Sequence, residues 1–152
     1  MEHKNAWLAY DEPQLAELEK LAAGYIDFIS ANKTERECVA TAITQAREAG
    51  YISLDEARAA GKQLAAGDKV YAELYGKTNI LAHIGSRPMQ DGLNILGAHV
   101  DPPRLDIKQN PLYESGDLAL LDTHYYGGIK KYQWVTLPLA IHCVIAKKDG
   151  SV

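Results

Sequence analysis

A change of period near Gly67 constrains this chain more than any other feature of it. Before that point apolar residues recur at helical spacing; after it they alternate, or run together, as they do in strands. Three helix starts are written into the first part. Asp11 is followed three residues on by Gln14, Thr34 by Glu37, and Ser53 by Glu56. Each is a capping-box pattern, in which side chains satisfy the open N–H groups of a first helical turn. Pro13 falls in the first turn of the first helix, where a missing N–H costs nothing. Leu15, Leu18, Leu21, Ala22, Tyr25, Ile26 and Ile29 then mark one apolar face. The second helix carries Cys38, Ala42, Ile43 and Ala46 and stops at Gly50; the third is short and stops near Gly61.

Beyond Gly67, residues 69–75, 79–84 and 93–100 read as strands, the first two joined by a hairpin-like turn at Gly76-Lys77-Thr78. Leu93-Asn94-Ile95-Leu96-Gly97-Ala98 is nearly continuous apolar sequence, which predicts a strand buried on both faces. Residues 105–108 and 118–123 predict two further short strands. Val135, Leu137, Leu139, Ile141, Cys143 and Ile145 alternate, which predicts a strand with one buried face, and Pro138 places it at an edge or a bulge. Lys148-Asp149-Gly150-Ser151 reads as a turn one residue before the last, the pattern of a chain cut short. The expected fold class is α/β, with N-terminal helices followed by a mixed β-sheet.

Composition excludes several classes of function. A net charge of −4 and only two basic pairs, Lys130-Lys131 and Lys147-Lys148, give no electrostatic footprint for nucleic acid. The longest apolar stretch, 134–146, falls short of the roughly 20 residues a membrane helix needs. The N-terminus, Met1 to Trp7, lacks the basic-then-apolar layout of a signal peptide, and His3 reads as part of a mobile tail. Cys38 and Cys143 make no disulfide framework and read as reduced, buried thiols, which fits a cytoplasmic protein.

The chemistry is concentrated in Gly97-Ala98-His99-Val100-Asp101-Pro102-Pro103. In a strand, residues two apart point to the same side. A neutral imidazole can bind zinc through one nitrogen while its other N–H donates to a carboxylate, which fixes tautomer and ring orientation. His99 and Asp101 are that pair in a local form, and Pro102 biases Asp101 to extended geometry. Taken alone, a His-x-Asp pair is more often structural or incidental. The other histidines have ordinary readings: His83 as a core or edge residue, His142 on the less apolar face of the last strand, His124 beside an aromatic and glycine-rich turn. Tyr125-Tyr126-Gly127-Gly128-Ile129 can present backbone N–H groups to a ligand, or can simply be a glycine bend between strands. A structural zinc site needs four ligands, commonly in close pairs, and no such set is visible.

Taken in order, Tyr75-Gly76-Lys77, Arg87-Pro88, Gly97 to Asp101, Pro103-Arg104-Leu105-Asp106, Asn110-Pro111-Leu112-Tyr113-Glu114 and Thr123 to Trp134 closely resemble the aspartyl aminopeptidase / aminopeptidase I family of zinc metallopeptidases, in its bacterial form. The resemblance implies a two-zinc exopeptidase that removes N-terminal residues from peptides, with cobalt or manganese as alternative metals. It implies His99 as a metal ligand and Asp101 as the catalytic-site carboxylate that braces it. It further implies an α/β sandwich in which 1–122 belong to the catalytic domain, and 123–152 begin an inserted, mostly β, dimerisation domain. Family members tend to form homo-oligomers. The family pattern also requires a bridging aspartate, a glutamate base beside a liganding carboxylate, a further acidic ligand and a late histidine. Glu114, Asp117, Asp122 and Asp149 lack the matching context. The chain is therefore expected to be an N-terminal fragment, inactive alone. The alternatives are a non-catalytic truncated homologue acting as a binding or assembly module, and a small α/β domain with a buried His–Asp pair.

Overall fold

The computed structural model describes residues 5–152, so the expectations for His3 and the first four residues lie outside it. The chain divides into two compact units, one ending at Val100 and the other running from Asp101 to Val152.

The first unit opens with the helices the caps announce. Helix α1, Glu12–Ala31, starts with the Asp11 side chain accepting from the Gln14 backbone N–H while Gln14 accepts from that of Asp11. Helix α2, Glu35–Glu48, repeats this with Thr34 and Glu37, and α3, Leu54–Ala59, follows Ser53 with Glu56. Between α1 and α2, Asn32 is buried yet satisfied: its amide donates to the Phe28 carbonyl at 2.8 Å, and its oxygen accepts from the Thr41 hydroxyl at 2.7 Å. That answers the cost of burying a polar group.

Strands β1 (Ile52–Ser53), β2 (Lys69–Leu74) and β3 (Thr78–His83) form one sheet in the order β1-β2-β3. The β1–β2 pair is parallel and the β2–β3 pair antiparallel. The sheet is thus mixed, as expected, although the two-residue β1 is too short to leave a periodic signal. Tyr75 and Gly76 both have positive φ, and the Lys77 N–H donates to the Leu74 carbonyl. This is the type I′ geometry whose twist suits a hairpin. Gly76 is favoured by its φ of +65°; an added Cβ would also sit 2.9 Å from Arg36 Nη1, the end of an exposed side chain that donates to the Tyr75 carbonyl at 2.8 Å. The core gathers where α2, α3 and the sheet meet: Cys38, Val39, Ala46, Ala57, Val70 and Tyr71. Helix α1 contributes no buried residue, and Leu21, Tyr25, Ile26 and Ile29 on its apolar face are exposed.

The second unit is a long antiparallel hairpin of β4 (Arg104–Ser115) and β5 (Leu118–Tyr126), followed by the single turn α4 (Lys131–Trp134). Both strands outrun their expected lengths. A register shift between Ile107 and Leu112 sets four residues, Lys108 to Pro111, against Asp122 alone, after which pairing resumes with Leu112 opposite Leu121. Proline has no N–H to give to a ladder and is tolerated at such a bulge. Gly116 and Asp117, both at positive φ, close the hairpin.

Two expected strands are not formed. Residues 92–103 and 135–146 carry no regular structure. Leu96 is fully exposed, and Ile95, Val135, Ile141 and Ile145 are largely so. A strand exists only through hydrogen bonds to a neighbour, and no strand among the described residues pairs with either stretch. Apolar pattern alone does not make a sheet. Cys143 is accordingly exposed, not buried as expected, whereas Cys38 is buried. His83 lies exposed at the end of β3, His124 lies on β5 opposite Asp106, and His142 is exposed in the irregular stretch. The bend at Gly127-Gly128 leads from a strand to a helical turn, not between two strands. Among the described residues no helix is long and apolar enough to cross a membrane.

Candidate metal-ligand segment

His99 lies next to the last residue of the first unit, Val100, in its irregular segment and is exposed. Asp101, two residues on, opens the second unit and is half-buried. The strand expected to align them is absent, so the same-face argument for 99 and 101 does not apply here. What the structure does fix is the carboxylate. The Tyr126 hydroxyl donates to Asp101 Oδ2 at 2.8 Å.

That bond is built by the base of the β4–β5 hairpin. Arg104, the first residue of β4, lies directly opposite Tyr126, the last of β5. Its guanidinium sits over the Tyr126 ring, 4.0 Å from the centroid, within the range of a cation–π contact. Its Nε donates to Asp106 Oδ1 at 2.7 Å, two residues along the same strand face. Pro102 and Pro103 separate Asp101 from β4, remove two N–H donors and fix φ, which keeps Asp101 out of the ladder. Gly127, at φ +72°, turns the chain immediately after Tyr126, where an added Cβ would meet Pro103 Cα at 3.5 Å.

Sequence reasoning singled out His99 and Asp101 and gave no role to Tyr126 or Arg104. Both lie in segments that resemble the family, but their pairing depends on the hairpin register. The two-residue turn at Gly116-Asp117 marks the hairpin, but the bulge between Ile107 and Leu112 shifts the register by three residues, so the turn alone does not place Arg104 opposite Tyr126.

Among the described residues, no three His, Cys, Asp or Glu side chains lie close enough together to hold a metal ion. An exposed imidazole and a carboxylate held by a tyrosine have the donor chemistry of one zinc ligand and its support. They do not make a complete site, which takes three or four protein ligands. An open depression of about 260 Å³ on the hairpin is lined by Leu105, His124, Tyr125 and Trp134 among others, and includes neither His99 nor Asp101.

Comparison with known proteins gives these residues a context. Residues 28–152 match the family model described as aminopeptidase I zinc metalloprotease (M18). A curated relative from Clostridium acetobutylicum, a probable M18 family aminopeptidase 1, is 58% identical over 151 residues, covering 99% of this chain and 32% of the relative. The crystal structure of an M18 aminopeptidase from Thermotoga maritima superposes with a TM-score of 0.82 at 38% identity, over 99% of this chain and 32% of that one. The aminopeptidase I structure from Clostridium acetobutylicum gives 0.75 at 56% identity, over 99% and 33%. The chain thus spans about a third of the length of the relatives it matches. With most of its length inside the family match, the chain belongs to the aminopeptidase I zinc metalloprotease family, M18.

Proposed function

We propose that this chain forms the N-terminal share of a zinc-dependent aminopeptidase that removes N-terminal residues from peptides at a two-metal site. The observation that carries the reading is the family match across residues 28–152, which takes in His99 and Asp101. In this reading His99 ligates a metal and Asp101 accepts from its second ring nitrogen, fixing the tautomer. The remaining donors and the general base come from the two thirds of the relatives' length that this chain does not span. When bound, such metals polarise the scissile carbonyl and lower the pKa of bound water; zinc is the proposed working metal, with cobalt or manganese as substitutes.

The proposal extends to assembly. Residues 123–152 lead, by way of the end of β5, toward an inserted dimerisation domain, and the intact protein is a cytoplasmic homo-oligomer. One observation favours a second reading, a non-catalytic binding or assembly module: no three-donor cluster occurs among the described residues.

The test uses a full-length M18 peptidase carrying this sequence, assayed for bound zinc by mass spectrometry and for release of N-terminal residues. His99→Ala is expected to lose metal. Its activity should fall by more than the roughly 10–100-fold that altering a ligand's hydrogen-bond partner costs. Unchanged zinc content with full activity contradicts the assignment. A wild-type protein that binds no zinc, yet associates with an intact peptidase subunit, establishes the second reading.

A further inference from the structure

We propose that the outer edge of β3 and the apolar run at residues 93–98 form a docking surface. Its occupant is the part of an M18 peptidase chain that this sequence does not span, which binds without a covalent link when supplied as a separate chain. The inference rests on the reading of this chain as the N-terminal share of such a peptidase. Both features belong to the first unit. β3 stands last in the order β1-β2-β3, and among the described residues no strand pairs with its far side. On β2, the neighbours Val70 and Tyr71 point to opposite faces of the sheet, and both are buried. On β3, the neighbours Ile80 and Leu81 do the same, yet both are exposed, Ile80 at 70%. The cover that both faces give β2 falls away at β3.

Edge strands left in water carry lysine, proline or a bulge as guards against pairing. β3 has none of these. Thr78-Asn79-Ile80-Leu81-Ala82-His83 contains no Lys, Pro, Asp or Glu, and its register with β2 runs unbroken from His83 opposite Lys69 to Thr78 opposite Leu74. On the same strand, Asn79 Nδ2 is buried with no acceptor among the described residues, a cost that an incoming carbonyl removes. The run at 93–98 makes the same demand. It holds no charged residue, Leu93 and Ile95 are exposed, and Leu96 is fully so. A run apolar on both sides suits a strand buried within a sheet, and this one pairs with no strand among the described residues, β3 included. The size of the occupant follows from the relatives. This chain matches them along 99% of its own length and spans about a third of theirs. The other two thirds is the chain that two bare ladders in one unit call for.

The test pairs the 152-residue chain with a separate chain holding the remaining two thirds of the Clostridium acetobutylicum relative. The two are produced in one cell and purified by a tag on the second. A one-to-one complex is the expected result, read by size exclusion with light scattering. Leu96→Lys and Ile80→Lys place a charge on the docking surface at positions that are exposed in the free chain. Each should leave the free chain's thermal midpoint in place and weaken the complex about 10–100-fold, the worth of one buried aliphatic side chain. Failure of the two chains to copurify overturns the inference, as does a complex that both variants leave at wild-type affinity. A dimer of this chain that excludes the second chain, and that the same substitutions break, assigns the surface to a second copy and also overturns it. A single-chain hybrid, this sequence joined to the same two thirds, separates the two readings. Release of N-terminal residues from peptides by the hybrid, beside separate chains that do not associate, leaves the peptidase reading intact and overturns this inference. Association that both substitutions weaken, beside a hybrid that releases nothing, supports this inference and contradicts the peptidase reading.

Discussion

The two units of this chain are stabilised in different ways. In the first, α2, α3 and the three-stranded sheet enclose a small core in which Val39 is 1% exposed and Tyr71 is 5% exposed. In the second, no residue is buried, and the hairpin is held by its ladder, by cation–π contacts at Tyr125 and Tyr126, and by exposed ion pairs such as Lys108–Asp122. A two-stranded hairpin without a core is marginal by itself. The difference separates structure that this sequence can complete from structure that needs a neighbour.

Substitutions should therefore have unequal effects in the two units. Tyr71→Ala empties the core and removes the hydroxyl that accepts from Arg47 Nε at 2.8 Å; it should destabilise the first unit by about 3–5 kcal/mol. Tyr113→Ala, at a half-exposed hairpin position, should cost under about 1 kcal/mol. Chemical denaturation of both variants measures the contrast, and equal losses would erase it. Gly76→Ala should be intermediate, at about 1–2 kcal/mol. It forces a side chain into left-handed backbone and displaces the Arg36 guanidinium that ties α2 to the hairpin turn. A shift in the denaturation midpoint reports it.

The smallest effect is electrostatic. Lys62 Nζ lies 2.8 Å from Asp68 Oδ1, and the Ala65 N–H donates to the other oxygen at 2.8 Å. These contacts hold the Asp68 carboxyl below the usual carboxylate range. A lowered folded-state pKa stabilises the protein above the unfolded value of about 3.9, and that stabilisation is lost as pH falls through the folded value. Asp68→Asn should lower stability slightly at neutral pH, and the difference from wild type should vanish as pH falls below about 4. A variant profile that parallels wild type through the acid range would show that the Lys62 contact contributes nothing.

The same division explains what could be read from the sequence. Asp11, Thr34 and Ser53 announced their helices because a cap is a local transaction within four residues. Lys69–Leu74 and Thr78–His83 were legible because a tight turn brings each its partner. Leu93 to Val100 carries a strong apolar signal and forms no strand, since the signal records a demand for neighbours and does not supply them. The candidate site divides similarly. His99 and Asp101 were visible as a motif, while Tyr126 and Arg104 became visible only when Arg104 was seen to pair across the hairpin with Tyr126.

The two cysteines are natural probes of this division. Cys38 belongs to the first unit's core, and burial, followed by the nearby Glu37 and Glu35, pushes its thiol pKa up; both effects slow reaction, since the thiolate is the nucleophile. Cys143 is exposed in the unpaired apolar stretch. The decisive measurement is the rate of labelling of each cysteine in the 152-residue chain by a thiol reagent, before and after denaturation. Rapid modification of Cys143 in the native state, with Cys38 reacting only on unfolding, is the predicted result. Equal protection of both thiols would mean that residues 135–146 find a partner within this chain, and would contradict the account.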